Sequence, residues 1–144
     1  MQRVIQLLCR GLAVCALTVS TAWAHGAVAI GGNPAEAATK GIAVGESHNF
    51  DTKEAARARA LQECLNYPDA PAETTALCEV LDDYSHEWLS VALDPEPSTP
   101  GFGWAIAKTQ KSAERNALNQ CKASSSSARK PFCKIGLSSF DGTP

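Results

Sequence analysis

Ala60-Leu61-Gln62-Glu63-Cys64 returns later in the chain as Ala117-Leu118-Asn119-Gln120-Cys121, and this repetition decides the fold. Each copy ends a helix-like segment in a cysteine. A second cysteine follows just before a strand-like run, at Cys78 in the first copy and at Cys133 in the second. The chain therefore holds two matched cysteine pairs. Cys9 and Cys15 lie in the N-terminal segment that is predicted below to be a signal peptide, so four cysteines remain. In an exported protein, an even set of four cysteines is typical of two disulfides.

The spacing within each pair favours structural crosslinks. The pairs enclose 13 and 11 residues, so a bond can join a helix end to the start of the next strand. We favour Cys64–Cys78 and Cys121–Cys133 over the two other connectivities. Each closure would stabilise the fold by about 3 kcal/mol. A zinc site is the alternative, but neither pair has the spacing of roughly two to four residues found in zinc knuckles.

Residues 1–24 have the features of a secretory signal peptide. Arg3 and Arg10 precede a short apolar run at residues 12–19, and Ala22-Trp23-Ala24 is a typical cleavage site for a signal peptide. The run is too short to span a bilayer. We therefore predict a periplasmic or secreted protein without a stable membrane anchor. Its single disulfide-stabilised domain would comprise residues 25–144.

The predicted domain consists of two copies of a strand-strand-helix-strand unit, at about residues 25–84 and 87–140. Period-two apolar patterns and turn residues predict strands at 27–30, 41–45, 88–93, 102–107 and 132–137. Helices are expected at about 51–66 and 109–122. The pattern predicts an α+β fold, in which a mostly antiparallel sheet carries two helices on one face and is crosslinked by two disulfides.

Cap residues and apolar spacing predict how each helix begins and which face it buries. Asp51-Thr52-Lys53-Glu54 resembles a capping box in which Asp51 accepts backbone N–H bonds, and Thr109 is the predicted N-cap of the second helix. Beside Cys64, the residues expected to face the core are Ala58, Leu61 and Leu65. In the second helix they are Ala113, Ala117, Leu118 and Cys121.

Charge is distributed unevenly along the chain. Without Arg3 and Arg10, 11 basic residues remain against 15 acidic ones, a net charge of −4. No Lys or Arg occurs between Arg59 and Lys108, whereas residues 108–134 contain seven basic residues and one acidic residue. Two interpretations stay open: the zones neutralise each other, or the acidic zone faces a cationic partner. The net acidic charge argues against binding driven by nucleic-acid phosphates.

A glycine-rich strand, a threonine-capped alanine helix ending in A-L-x-x-C and a cysteine-led strand occur in both copies. The segments that carry this pattern are Gly103-Trp104-Ala105-Ile106-Ala107, Thr109, residues 112–121, residues 25–29 and residues 55–64. The pattern resembles the bacterial secreted family called domain of unknown function 4189, over most of residues 25–140. The resemblance implies export and an α+β disulfide fold, and it supplies no catalytic residues.

Three groups of residues have the types that catalysis or metal binding requires. Ser85-His86-Glu87 has the composition of a triad, but neighbouring strand residues point to opposite faces. His25 would follow the cleavage site, where a free amine and an imidazole can bind copper together with His48 or His86. Asp82-Asp83 with Glu79 matches no calcium loop. We predict no resident metal or cofactor.

These observations predict a non-enzymatic domain that binds a protein. Its partner would be a cationic enzyme or toxin that attacks the cell envelope, so that the chain acts as an inhibitor or immunity protein. The residues expected to bind this partner are Asp82, Asp83, Glu87, Asp94 and Glu96. The alternatives are a small-ligand or cell-wall-binding module, or a metal-binding envelope enzyme that uses His25.

Overall fold

The structure, a computed structural model, describes residues 24–33, 36–96 and 99–142. The predicted signal peptide, except for Ala24, lies outside the described residues. The elements are β1 (His25–Gly31), α1 (Ala37–Lys40), β2 (Ala43–Phe50), α2 (Lys53–Leu65), α3 (Ala72–Thr75), β3 (Glu79–Tyr84), β4 (Trp88–Leu93), β5 (Phe102–Ala107), α4 (Gln110–Ser124) and β6 (Lys134–Phe140). A 3₁₀ turn, Lys130–Phe132, precedes β6. Among the described helices, none is long and apolar enough to cross a bilayer.

The predicted α+β class is confirmed, and the duplicated unit is visible in the topology. The first unit is β1-β2-α2-β3 and the second is β4-β5-α4-β6. All strand pairs are antiparallel, in the orders β2-β1-β3 and β5-β4-β6. The six strands thus form two sheets of three instead of one continuous sheet.

Alternation of small and large side chains along the strands explains this arrangement. In β1, Ala27 and Ala29 pack against α2, whereas Val28 and Ile30 face the other sheet and cluster with Leu89 of β4. Sheet B, formed by β4–β6, packs on α4 through its own small residues. The two sheets therefore meet face to face, and each helix covers the outer face of its own sheet. This arrangement differs from the predicted single sheet, which would have carried both helices on one face.

Each helix lies directly on a glycine of the neighbouring strand. A Cβ atom at Gly45 of β2 would lie 2.0 Å from the carbonyl oxygen of Ala60. At Gly103 of β5 it would lie 2.4 Å from the carbonyl oxygen of Ala117. Because backbone atoms cannot move aside as a flexible side chain can, only glycine fits at these two strand positions.

The buried face of α2 is not the predicted one. Ala56, Ala60 and Cys64 are fully buried, whereas Leu65 is 47% exposed. The predicted inward stripe of Ala58, Leu61 and Leu65 was wrong, because the close contact with β2 accepts alanine and excludes leucine. For α4 the prediction is confirmed: Ala113, Ala117 and Cys121 are buried, and Leu118 is partly buried against the same cluster.

The caps and strand ends correct three further predictions. Thr52, and not Asp51, is the N-cap of α2, and its hydroxyl accepts a hydrogen bond from the Ala55 amide at 3.2 Å. Thr109 caps α4 in the same way, as predicted. The second strand extends to Phe50, beyond its predicted end at residue 45. The last strand begins only at Lys134, because the 3₁₀ turn occupies the residues before it.

Both predicted disulfides are present. Cys64–Cys78 and Cys121–Cys133 join Cα atoms that lie 5.9 and 6.0 Å apart. Each bond connects the end of a helix to the segment that leads into the third strand of the same unit. The crosslinks therefore hold each helix against its own sheet.

Asp141 connects the ends of the two units. Its carboxylate is completely buried and accepts the backbone N–H groups of Asn49, at 2.8 Å, and of His86, at 3.4 Å. Both of these residues have a positive φ, 61° for Asn49 and 54° for His86. A buried carboxylate that accepts backbone N–H bonds stabilises these uncommon conformations.

We predict that Gly45→Ala and Gly103→Ala each destabilise the protein by about 1–3 kcal/mol or more, because the added methyl group overlaps a helix backbone. Denaturant unfolding would measure the loss. Gly136→Ala is the matched control, because its Cβ would first meet the end of the Leu93 side chain. Equal stability of all three variants would contradict the close-contact model.

Candidate functional site

Three of the five acidic residues predicted to bind a partner form ion pairs within the domain. Asp83 in β3 binds two basic residues of α2, Lys53 at 2.8 Å and Arg57 at 3.0 Å. Although partial burial raises the pKa of Asp83, the hydrogen bonds and charges of these two residues hold it below its ordinary value. Glu87, just before β4, pairs with Lys108 at 3.2 Å.

Asp94 forms the most enclosed of these pairs. Its side chain is 0% exposed, and Arg129 binds both of its oxygens, through Nε at 2.8 Å and Nη2 at 2.5 Å. The backbone N–H of Glu96 adds a third hydrogen bond at 3.1 Å. The hydrogen bonds from Arg129 lower the pKa of Asp94 to about 2, against the opposing effect of burial. All three hydrogen bonds lie within the domain, so the Asp94 carboxylate stabilises the loop that follows β4.

The other two predicted residues keep free carboxylates. Asp82 in β3 is exposed, and its Oδ1 accepts only the neighbouring backbone N–H of Asp83. Glu96 is exposed and forms no ion pair within the described residues. The structure therefore neutralises the acidic zone internally at three positions and leaves Asp82 and Glu96 available to a partner.

The free surface charges differ between the two units. In the first unit, every Lys and Arg of the described chain pairs with a carboxylate. Its exposed carboxylates without an ion pair are Asp51, Glu54, Asp69, Glu73, Glu79 and Asp82. Among the residues that the structure describes, the exposed basic residues without an ion pair all lie in the second unit and are Lys111, Arg115, Lys122, Lys130 and Lys134. The first unit therefore presents a negative surface.

An apolar stripe lies on the outer face of α2. Because Ala56, Ala60 and Cys64 face inward, exposed Ala58 and Leu65 are turned away from the sheet, and Leu61 beside them is half-buried. Leu77, which is 60% exposed, lies beside Cys78, and Leu65 lies beside Cys64. The two leucines therefore flank the same disulfide. We call Ala58, Leu61, Leu65 and Leu77 the α2 patch.

Free carboxylates accompany the α2 patch. Glu54 lies one turn before Ala58 on the same row of the helix. Asp69 and Glu73 lie in the segment that the disulfide closes, between Leu65 and Leu77. Single exposed leucines are common on protein surfaces, but a row of apolar residues with a polar rim is typical of a protein-binding surface.

The repeat itself contains the signal that would have revealed this patch. Aligning Cys64 with Cys121 pairs Ala56 with Ala113 and Ala60 with Ala117. The inward face predicted for the second helix, applied to the first, would have placed Leu65 outside. The spacing of apolar residues within α2 alone did not reveal the patch, because Ala58, Leu61 and Leu65 also form a regular stripe. Spacing does not say which of two stripes is buried.

Ser85 and His86 lie in the turn between β3 and β4, not on a strand. His86 has φ 54°, and its Nδ1 is 3.0 Å from the hydroxyl of Ser85, so the two side chains do meet, contrary to the strand argument. The Ser85 hydroxyl donates to the carbonyl oxygen of Ala24 at 2.7 Å. Because Ala24 is the last residue of the predicted signal peptide, this hydrogen bond belongs to the uncleaved chain. Glu87 binds Lys108 instead of completing a triad.

The three histidines lie on different segments of the chain. His25 is in β1, opposite Phe50, and His48 Nδ1 lies 3.2 Å from Glu46. Within residues 24–33, 36–96 and 99–142, no three His, Cys, Asp or Glu side chains converge as metal ligands.

A cleft of about 510 Å³ lies between β2 and the C-terminal half of α2. Its polar lining includes Glu46, His48, Arg59, Glu63 and Tyr67. Burial, and then the charge of Asp69, raises the pKa of the Tyr67 hydroxyl, which therefore stays protonated. Arg59 and Glu63 form an ion pair across one helical turn. The cleft has the mixed polar groups of a small-ligand site.

Comparison with known proteins identifies one family. The family model described as domain of unknown function (DUF4189) matches residues 25–139. This is the family that the repeated pattern resembles. Neither a curated protein nor a solved structure matches the chain significantly.

The Asp94–Arg129 pair makes the stability of the protein depend on pH in the acidic range. Because the folded-state pKa of Asp94, about 2, lies below its ordinary value of 3.8, the pair stabilises the fold above pH 4. This contribution is lost as the pH falls from about 4 toward 2. We predict that Asp94→Asn lowers the melting temperature at pH 6 and that the difference from the parent protein shrinks by pH 2.

Melting curves at several pH values would measure this dependence. Glu79→Gln is the matched control, because Glu79 is an exposed carboxylate that forms no ion pair among the described residues and lies in the first unit, on β3. A melting-temperature difference for Asp94→Asn that stays constant down to pH 2 would contradict the assignment.

Proposed function

We propose that this chain, which belongs to the family of domain of unknown function DUF4189, is an exported, non-enzymatic domain that binds a protein. Its partner is a cationic enzyme or toxin that acts on the cell envelope, and the domain inhibits or neutralises it. The observation that carries the proposal is the α2 patch, in which exposed Leu65 and Leu77 flank one disulfide, with Ala58 and half-buried Leu61 on the same helix as Leu65. Two disulfides favour an oxidising, extracytoplasmic location.

The α2 patch provides apolar area on a rigid support. Leu65 and Leu77 are 47% and 60% exposed, so both can lose contact with water when a partner covers them. The disulfide between Cys64 and Cys78 holds the backbone on either side. A surface held in place before binding loses little conformational entropy, which favours tight association.

The charges around the patch favour a cationic partner. Glu54, Asp69 and Glu73 are exposed and have no ion pair among the described residues, and the neighbouring basic side chains of α2 are already paired. An uncompensated negative field of this kind accelerates encounter with a positively charged protein and repels an acidic one. Asp82 and Glu79 add exposed carboxylates on the edge strand β3, on the face of the sheet opposite α2.

A non-enzymatic role agrees with the arrangement of the polar side chains. The Ser85 hydroxyl lies 3.0 Å from His86 Nδ1, but Glu87, the residue that would have to orient His86, is bound to Lys108. A serine nucleophile needs a base that accepts its proton and a third group that orients the base. Ser85, His86 and Glu87 are not connected in that order.

The cleft beside β2 supports a second candidate function, a small-ligand or cell-wall-binding module. Glu46, His48 and Arg59 line a space large enough for one sugar or peptide unit. Retention on purified peptidoglycan that is lost in Arg59→Ala, and kept in Leu65→Asp, would favour this function over protein binding.

We predict that the combined change Leu65→Asp and Leu77→Asp weakens binding to the partner at least tenfold, because it places charge at the centre of an apolar contact. The measurement is inhibition of peptidoglycan lysis by a panel of cationic hydrolases, with affinity for each inhibited enzyme determined by calorimetry.

Phe132→Asp is the matched control for Leu77→Asp. Both residues are exposed and directly precede the second cysteine of a disulfide, but Phe132 belongs to the other unit. The control should retain inhibition. The proposal fails if no cationic hydrolase is inhibited, or if both variants lose inhibition equally.

We also predict that Asp82→Lys with Glu79→Lys slows association with the partner at low salt, and that the effect disappears at high salt. Stopped-flow association rates would show it. Asp83 and Glu87 are avoided because their ion pairs stabilise the fold. Glu114→Lys, in the second unit, is the control, and an equal effect of this change would exclude a local acidic surface.

A further inference from the structure

We propose that the outer face of α4, together with the 3₁₀ turn before β6, binds an anionic phospholipid surface. The surface consists of Lys111, Arg115, Lys122, Lys130 and Phe132, which we call the α4 patch. It lies in the second unit and does not depend on the protein-binding function proposed for the first.

Three cations of the α4 patch form one straight row. At 3.6 residues per turn, Arg115 and Lys122 lie within about 40° of Lys111 around the helix axis, and the row is about 16 Å long. All three side chains are exposed. The row points away from Ala113 and Ala117, which are buried against sheet B.

An exposed aromatic ring adjoins one end of the row. Phe132 is 52% exposed and lies in the turn Lys130-Pro131-Phe132, which packs on α4. The Arg129 guanidinium lies 4.2 Å from the centre of its ring and is also bound to Asp94, so the ring rests on a fixed support. The disulfide Cys121–Cys133 joins the end of α4, which carries Lys122, to the segment that carries Phe132.

The positive charges of the α4 patch are not compensated. Within the described residues, Lys111, Arg115, Lys122 and Lys130 form no ion pair. The one carboxylate on α4, Glu114, accepts a hydrogen bond from Gln110 at 2.8 Å. At the corresponding positions of α2 the first unit has Glu54, Ala58 and Leu65. The positive row is therefore a property of the second unit alone.

A lipid surface fits this arrangement better than other anionic partners do. The row is on the convex side of a helix, so it can touch a flat array of headgroups along its whole length. Phe132, at its end, is the kind of side chain that enters the boundary between headgroups and acyl chains. Each Lys or Arg near an anionic bilayer strengthens binding about fivefold. Binding of this kind is peripheral and reversible.

The test is flotation of the protein, residues 25–144, with vesicles of phosphatidylglycerol and phosphatidylcholine, compared with vesicles of phosphatidylcholine alone. We expect binding only to the anionic vesicles at low ionic strength, and release at high salt. Lys111→Glu, Arg115→Glu and Lys122→Glu together should reduce the partition coefficient about a hundredfold or more. Phe132→Ala should reduce the fraction that stays bound at intermediate salt.

Lys134→Glu is the matched control for Lys122→Glu, because both changes alter net charge equally and both positions adjoin a cysteine of the same disulfide. Lys134 pairs with Leu93 in sheet B, and Leu93 lies on the face that α4 does not cover. The control should therefore keep vesicle binding, while Lys122→Glu lowers it about fivefold or more.

Three results would overturn the proposal: equal binding to both kinds of vesicle, equal losses in Lys122→Glu and Lys134→Glu, or binding to soluble polyphosphate without binding to anionic vesicles. Circular dichroism of each variant would verify that it is folded. Leu65→Asp with Leu77→Asp should leave vesicle binding intact. Failure of the protein-binding proposal and failure of the lipid proposal are thereby distinguishable.

Discussion

In each unit a helix backbone lies against a strand glycine, so that a side chain at Gly45 or Gly103 would overlap α2 or α4. This contact leaves room only for alanine on the inward face of the helix, up to the cysteine that ends it. Alanine buries little apolar area, at about 0.8 kcal/mol per methylene-sized group. The two disulfides, each contributing about 3 kcal/mol, therefore form a large part of what holds each helix on its sheet.

The two units share their interior and differ in their exterior. Cys64, Ala60 and Gly45 have counterparts in Cys121, Ala117 and Gly103, because the helix contact requires these small residues. No such constraint acts on outward positions. Equivalent sites on α2 and α4 therefore present Leu65 and Lys122, and one duplicated scaffold displays an acidic, apolar surface and a basic one.

The acidic zone shows why counting charges along a chain is insufficient. Asp94 is bound by Arg129, 35 residues later, and Asp83 is bound by Arg57, 26 residues earlier. Internal neutralisation is realised for some carboxylates, whereas others, such as Asp82, stay free, and capture of a cationic partner stays a prediction. Pairing of this kind depends on which loops and helices lie side by side, which local sequence does not encode.

The sequence by itself determined the duplicated unit, both disulfide pairs, the strands at 88–93 and 102–107 and the threonine cap of α4, because these follow from local periodicity, cap chemistry and cysteine spacing. Only the tertiary structure decided which stripe of α2 is buried, how the strands divide into two sheets and which carboxylates are free. The physical reason is that two apolar stripes of α2 compete for the same sheet, and the close approach at Gly45 admits the alanine stripe and turns Leu65 outward.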